Sequence, residues 1–234
     1  MPESEFQASE YQAPDYEAAV VELLGVLAYG ELSAFERLCA DAAKAPTLND
    51  KAEIAAMACA EFSHFELLRT RLTALGADPQ EAMAPFVVAL EAFHASTAPA
   101  DWLEGLVKAY VGDGIAADFY REISVLLDAD TRQLVLDVFA DTGHSEFVVY
   151  KVRAAIEAEP RVAGRLALWG RRLMGEALSQ AQRVAADRDS LASLLAGAIS
   201  AGGASDMDLG ELGRMFTRIT EQHSRRMAAL GLAA

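Results

Sequence analysis

Apolar side chains recur at steps of three and four over long stretches of this 234-residue chain, the period of helices buried along one face. The first stretch runs from about Tyr16 to Lys44 and aligns Leu24, Ala28, Glu31, Phe35 and Leu38. Ala45-Pro46-Thr47 interrupts it, and Asn49 or Asp50 offers a cap for a second helix over 51–76. That helix aligns Ile54, Met57, Ala58, Glu61, His64, Phe65, Leu68 and Leu72, and Gly76 suits its C-terminal cap. A connector with Pro79, Pro85 and Pro99 covers 77–100 and holds one shorter helix over 80–94. A third helix over 101–127 aligns Leu103, Leu106, Tyr110, Asp113, Ala117 and Tyr120. After Asp128-Ala129-Asp130, a fourth running to Ala158 aligns Leu134, Val138, Asp141, His144, Val148 and Val152. A fifth starts at Pro160 and reaches Asp187. Residues 188–206 read as a short helix and a Gly/Ser-rich loop, and a last amphipathic helix covers 208–230.

The pattern predicts an all-α fold. Residues 1–14 read as a flexible tail, 15–158 as an up-down-up-down four-helix bundle, and 159–234 as additional C-terminal helices packed on it. The connector over 77–100 is too long for a tight turn and suits a crossover between the halves of the bundle.

Composition changes this picture little. No run reaches about 18 uninterrupted apolar residues, so no membrane span is expected. The acidic N-terminus lacks the basic-then-apolar pattern of a signal peptide, which predicts a cytoplasmic protein. Cys39 and Cys59 sit in apolar helical runs and read as buried, reduced thiols. Charge is more informative. Residues 1–142 carry 25 acidic and 8 basic side chains, and residues 143–234 carry 10 and 12, which together give the net −15. A field of that sign repels polyanions. The basic candidates for a nucleic-acid contact are Lys151, Arg153, Arg161, Arg165, Arg171, Arg172 and Arg183, and each also reads as a solvated helix-face charge.

The candidate chemistry lies in a doubled pattern. Glu31 is followed by Glu61-x-x-His64, and Asp113 by Asp141-x-x-His144, with corresponding residues 82, 80 and 80 positions apart. Residues at i and i+3 share a helix face, so each acid–His pair can reach one metal core. A bundle in which two helices give a lone carboxylate and two give a carboxylate plus a His is suited to two metal ions. Oxygen and imidazole ligands without thiolates suit iron or manganese. Four carboxylates would balance two divalent ions, and unpaired they would be costly in mid-face of an apolar helix. On the third helix Asp118 competes with Asp113 for the ligand role, about 140° further round the helix, and Glu122 is a more remote candidate. Glu91-x-x-His94 has the same spacing but lies on the Pro-flanked connector and reads as a non-ligand; His223 reads as a surface residue. Gly30, Gly112, Gly114 and Gly143 stand beside the proposed ligands. Each costs about 1 kcal/mol against Ala, which suggests room at the metals, a π-bulge or close helix packing.

The runs AEFSHFELL (60–68), KAYVGDGIAADFYREI (108–123) and DTGHSEF (141–147), with Glu31 upstream, resemble the ferritin-like di-iron carboxylate superfamily. Within it they are most similar to the tRNA hydroxylase family that oxidises the isopentenyl group of 2-methylthio-isopentenyladenosine. The resemblance covers about 20–155. It implies a ferritin-like bundle with Glu31, Glu61, His64, Asp113, Asp141 and His144 as ligands of two irons, Glu61 and Asp141 bridging, and O2 as co-substrate for C–H hydroxylation. The second half departs from the superfamily by using Asp where Glu is usual.

Three functions fit these readings. A di-iron monooxygenase would act on a modified tRNA base or a small apolar molecule, in a pocket near Phe35, Phe65, Tyr110 and Tyr120. It would need an external electron donor or reductase, because no flavin or NAD motif is visible. A ferritin-like iron oxidase would turn over iron itself. A metal-free helical interaction module would use the acids structurally. The fifth and last helices offer candidate homodimer surfaces.

Overall fold

The computed structural model describes the backbone of residues 13–139, 144–191, 194 and 209–234, with the side chains of 13–15, 144, 185, 186 and 209–212 outside the description. Among the described residues every regular element is helical. Helix α1 (Ala13–Ala42) presents a sealed stripe of Ala19, Leu23, Leu24, Leu27 and Ala28 at helical steps. Burying each Leu contributes about 1.5–3 kcal/mol. Among the described residues α1 alone is long and apolar enough to cross a membrane. Here its apolar stripe packs against α2 (Leu48–Ala74), its extensive partner in the bundle.

Thr47, rather than Asn49 or Asp50, caps α2. Its extended backbone places Oγ1 where it accepts from the Asp50 amide at 3.1 Å and donates to Asp50 Oδ2 at 2.8 Å. Such a cap contributes about 1 kcal/mol. Gly76 ends the helix as expected, with φ +78 and its own amide on the Thr73 carbonyl, while Ala77 reaches Leu72.

The crossover is built from α3 (Pro79–Met83), a 3-10 turn (Ala84–Phe86) and α4 (Val87–Ser96), not from one helix. Pro85 explains the break, since it cannot donate to the carbonyl one turn back. Gly25 lets α3 lie directly on α1, because a Cβ there would run into the Ala82 carbonyl.

Helix α5 (Trp102–Ser124) is capped by Asp101 and occupies the centre, touching α1 and, among the described residues, each later helix. The expected continuous fourth helix is two segments, α6 (Ala129–Val138) and α7 (His144–Ala158). Both touch α2 and α5, so together they fill the fourth bundle position. At Phe139 the backbone leaves helical geometry (ψ 17), and its carbonyl accepts from Arg121 Nη2 at 2.8 Å. Helices α8 (Val162–Asp187) and α9 (Leu209–Ala229) pack on α5. The expected loop over 188–206 lies mostly outside the described residues.

Two apolar cores result. One joins Leu38, Ile54, Met57, Val111 and Ile115 to α7, α8 and α9. The other joins Leu24, Ala28, Phe65, Leu68, Ala117 and Val138 to Phe86 of the crossover. On α1 and α2 the boundary between them falls at Glu31 and at Glu61–His64, and on α5 it falls between Ile115 and Ala117, within a turn of Asp113. Cys39 and Cys59 are free and exposed, contrary to the buried thiols expected. Their helices pack through the opposite faces, a choice that a run of small apolar residues does not reveal.

Candidate metal centre

The boundary between the cores is a polar layer. Glu31, Glu61 and His64 each offer one ligand atom, and these atoms lie within 4.8 Å of one another. His64 Nδ1 is 3.3 Å from Glu31 Oε2 and 4.0 Å from Glu61 Oε2. The antiparallel pairing of α1 and α2 makes this meeting possible, because Glu31 and the Glu61–His64 turn stand at the same height about the 43–47 connection. Asp113 approaches from α5, close enough to Glu61, Glu31 and His64 for their charges to act on each other.

Burial governs the charges of this layer. It pushes the Glu31 and Glu61 carboxyls well above the ordinary range, and their mutual contact raises Glu61 further. Burial also lifts Asp113 to about 7, assisted by Glu61 and opposed by His64, Arg121 and Arg226. Asp113 is also solvent-accessible, on a side that lines a cavity. Tyr120 lies beside the layer, stacked on Phe139 at 5.4 Å, and burial followed by the Glu31 charge raises its phenol far above normal.

The four side chains open on one cavity of about 420 Å³, in the range of small-molecule sites. Its wall includes Leu27, Met57, Leu90, Tyr110, Tyr120 and Phe139. A depression of similar volume on α9, lined by Phe216 and Thr220, is open surface remote from these acids. Gly30 and Gly112 line the cavity and leave open space where a Cβ would stand, so they provide room. Gly114 instead admits the side chain of Arg226. Helices α1 and α5 stay α-helical through these glycines, without a π-bulge.

The remaining sequence candidates fall as follows. Asp118 is held by Arg226 Nη2 at 2.5 Å and by Arg121 at 3.4 Å. Glu122 is gripped by Arg218 at 2.7 and 2.8 Å. Glu91 accepts from Arg37 at 2.8 Å and from Tyr29 at 3.1 Å, and His94 Nε2 meets Ser33 Oγ at 3.0 Å. Asp141 and the side chain of His144 lie outside the described residues, although Phe139 and Ser145 on either side of that stretch both line the cavity. Of the four aromatics expected at the pocket, Tyr110 and Tyr120 line it. Phe65 belongs to the apolar core and Phe35 packs on Phe62 at 5.2 Å.

His223 is buried, not a surface residue, with both ring nitrogens unpartnered; α9 lies on α5, and no helical period announces which neighbour will cover it. Sequence reasoning also missed Phe93, Lys108 and Arg226 in the cavity wall. The glycine beside Asp113 was the signal available for Arg226.

The donor set fits metal ions. Glu31 Oε2 is a buried oxygen with no hydrogen-bond partner. Three carboxyls raised by burial need either protons or cations, and hard oxygens with one imidazole suit iron or manganese.

The comparison with curated proteins gives no match. Among solved structures, protein 19 with aldehyde deformylating oxidase activity from Synechococcus superposes with a TM-score of 0.69 at 20% identity, covering 94% of this chain and 93% of that one. The family model for the ferritin-like domain of actinomycetes matches residues 14–198, a span that contains the whole polar layer. With its bundle, crossover and mid-bundle acids, the chain belongs to this ferritin-like family.

Proposed function

We propose that this chain is an O2-activating oxygenase with a di-iron centre, manganese being the other metal its donor set suits, and that it hydroxylates a small apolar molecule. The observation that carries the reading is the Glu31–Glu61–His64 cluster, joined by Asp113, on a mostly apolar cavity of about 420 Å³. Glu31, Glu61, His64 and Asp113 would hold metal, with Asp141 and His144 completing the set. Asp113 is preferred to Asp118, whose carboxylate already neutralises Arg226.

Iron held there would supply the reductive activation of O2. The chain's own part is to position and to exclude water. Leu27, Met57 and Leu90 present an apolar wall to the substrate, and an apolar core lies on either side of the layer. Glu31, Glu61 and Asp113, whose carboxyls burial raises, would give up their protons on holding metal. The named activity of the Synechococcus protein is oxidative and supports this class of chemistry. An external reductase and a cytoplasmic location belong to the same proposal.

A tRNA substrate has less support. Five of the seven basic candidates are committed within the fold. Lys151 pairs with Asp50, Arg165 with Asp101 and Glu104, and Arg153, Arg171 and Arg172 donate to backbone carbonyls. A cavity of organic size likewise favours an organic substrate over iron as the thing oxidised. Metal analysis and O2 uptake by iron-loaded protein test the proposal. Near two irons per chain, and uptake that Glu61→Ala abolishes, are expected; well under one metal per chain would overturn it.

A further inference from the structure

The cavity has a second pole. Its acidic layer lies on one side, and Arg37, His94 and Lys108 line it on another, from α1, α4 and α5. Lys108 stands about five residues before Asp113 on α5, roughly 8 Å along the axis.

The charges at this pole do not cancel. Arg37 is paired with Glu91 at 2.8 Å. Asp41, the acid whose charge acts most on Lys108, is paired with Lys44 at 3.0 Å. Lys108 is only 9% exposed, and its Nζ donates to one backbone carbonyl, Thr97 O, at 2.9 Å. The Phe93 ring lies 5.5 Å from it. Among the described residues it has no ion-pair partner. A buried ammonium without a counter-ion is costly, and the cost is relieved by an anion. Burial, with Arg37 and Lys44 nearby, depresses this ammonium to about 8, the direction expected when a counter-ion is missing. His94 Nδ1, also buried and unpartnered, is a second polar atom at the same pole.

We infer that Lys108 is an anion-binding residue of the cavity, and that the substrate is an apolar molecule bearing one carboxylate, held at Lys108 with its apolar body toward Asp113 and His64. One uncompensated cation selects a monoanion; a dianionic phosphate would meet Glu91 and Asp41 as well. A carboxylate held at Lys108 leaves the apolar body to extend toward the other pole, which fixes one orientation. Calling the anion a substrate rests on the oxygenase reading, while the binding itself does not.

Calorimetric titration of iron-loaded and chelator-stripped protein with octanoate and with 1-octanol separates the two. Octanoate is expected to bind about tenfold more tightly than octanol to both forms, the advantage of a charge-assisted contact. Lys108→Met should remove that preference and leave octanol binding in place, and Lys108→Arg should keep most of it. Because Lys108→Met removes a lone buried cation, its melting temperature should equal or exceed that of the parent. Equal affinity for octanol and octanoate in the parent chain would overturn the inference without any variant. So would octanoate binding that survives Lys108→Met, or that vanishes on metal removal alone, since the carboxylate would then sit on the metals. Absence of metal with octanoate preference intact would remove the oxygenase reading and leave the anion pole standing.

Discussion

The Nδ1 atom of His64 lies 3.3 Å from Oε2 of Glu31, which joins the acid–His turn of α2 to the lone carboxylate of α1. That oxygen has no hydrogen-bond partner, and the pair sits at the seam between two apolar cores. Such a contact is poorly satisfied by the protein alone and well satisfied by a cation between the two groups.

Substitution therefore separates this pair from its sequence decoy. Glu31→Ala, Glu61→Ala and His64→Ala should each lower bound iron, measured by mass spectrometry of the metal, to below about half of the parent value. Glu91→Ala and His94→Ala should retain it, because Glu91 serves Arg37 and Tyr29 and His94 serves Ser33. Equal loss from both sets would mean that the wrong motif holds the metal.

Stability of the metal-free protein should fall as pH rises. Glu31, Glu61 and Asp113 all have folded values above the unfolded carboxyl range, Asp113 at about 7. The folded chain then binds more protons than the unfolded chain, so the contribution is full below about pH 4 and is lost as pH rises through 7 and beyond. Urea unfolding of chelator-treated protein at pH 5, 7 and 9 measures this, and bound metal should flatten the slope. A metal-free protein that gains stability over this range would show that the acids are not buried together.

Three glycines divide by what surrounds them. Gly30→Ala and Gly112→Ala meet open space and should stabilise the fold by about 0.5–1 kcal/mol, the ordinary gain of Ala over Gly in a helix. Both add a methyl to the cavity and should weaken substrate binding. Gly114→Ala would bring a Cβ to 2.5 Å from Arg226 Cδ, so it should destabilise instead. Thermal unfolding of the three variants gives the signs directly, and a stabilising Gly114→Ala would contradict the packing of α9 on α5.

The pair Arg226–Asp118 ties the C-terminal helix to the centre of the bundle at 2.5 Å, with side chains 15% and 10% exposed. Removing Arg226 leaves the buried Asp118 with only the longer, 3.4 Å contact from Arg121, a loss of up to about 3 kcal/mol. Arg226→Met should thus destabilise strongly, and adding Asp118→Asn should recover part of the loss. Denaturant titration of the single and double variants checks the coupling; additive losses would mean that the two charges do not depend on each other.

The residues alone announce local properties. Periodicity placed the helices, put Glu31, Glu61, His64 and Asp113 in mid-face, and marked Gly76 as a helix end, because a helix face and a left-handed turn are properties of neighbouring residues. Helix packing chose what each face meets. It set Asp113 against the cavity and Asp118 against Arg226, sealed His223 beneath α9, exposed Cys39 and Cys59, and split the fourth helix at Phe139. It also left Lys108 without a counter-ion. Pairings across 60 or more positions depend on which helix packs where, and helical spacing carries no record of that.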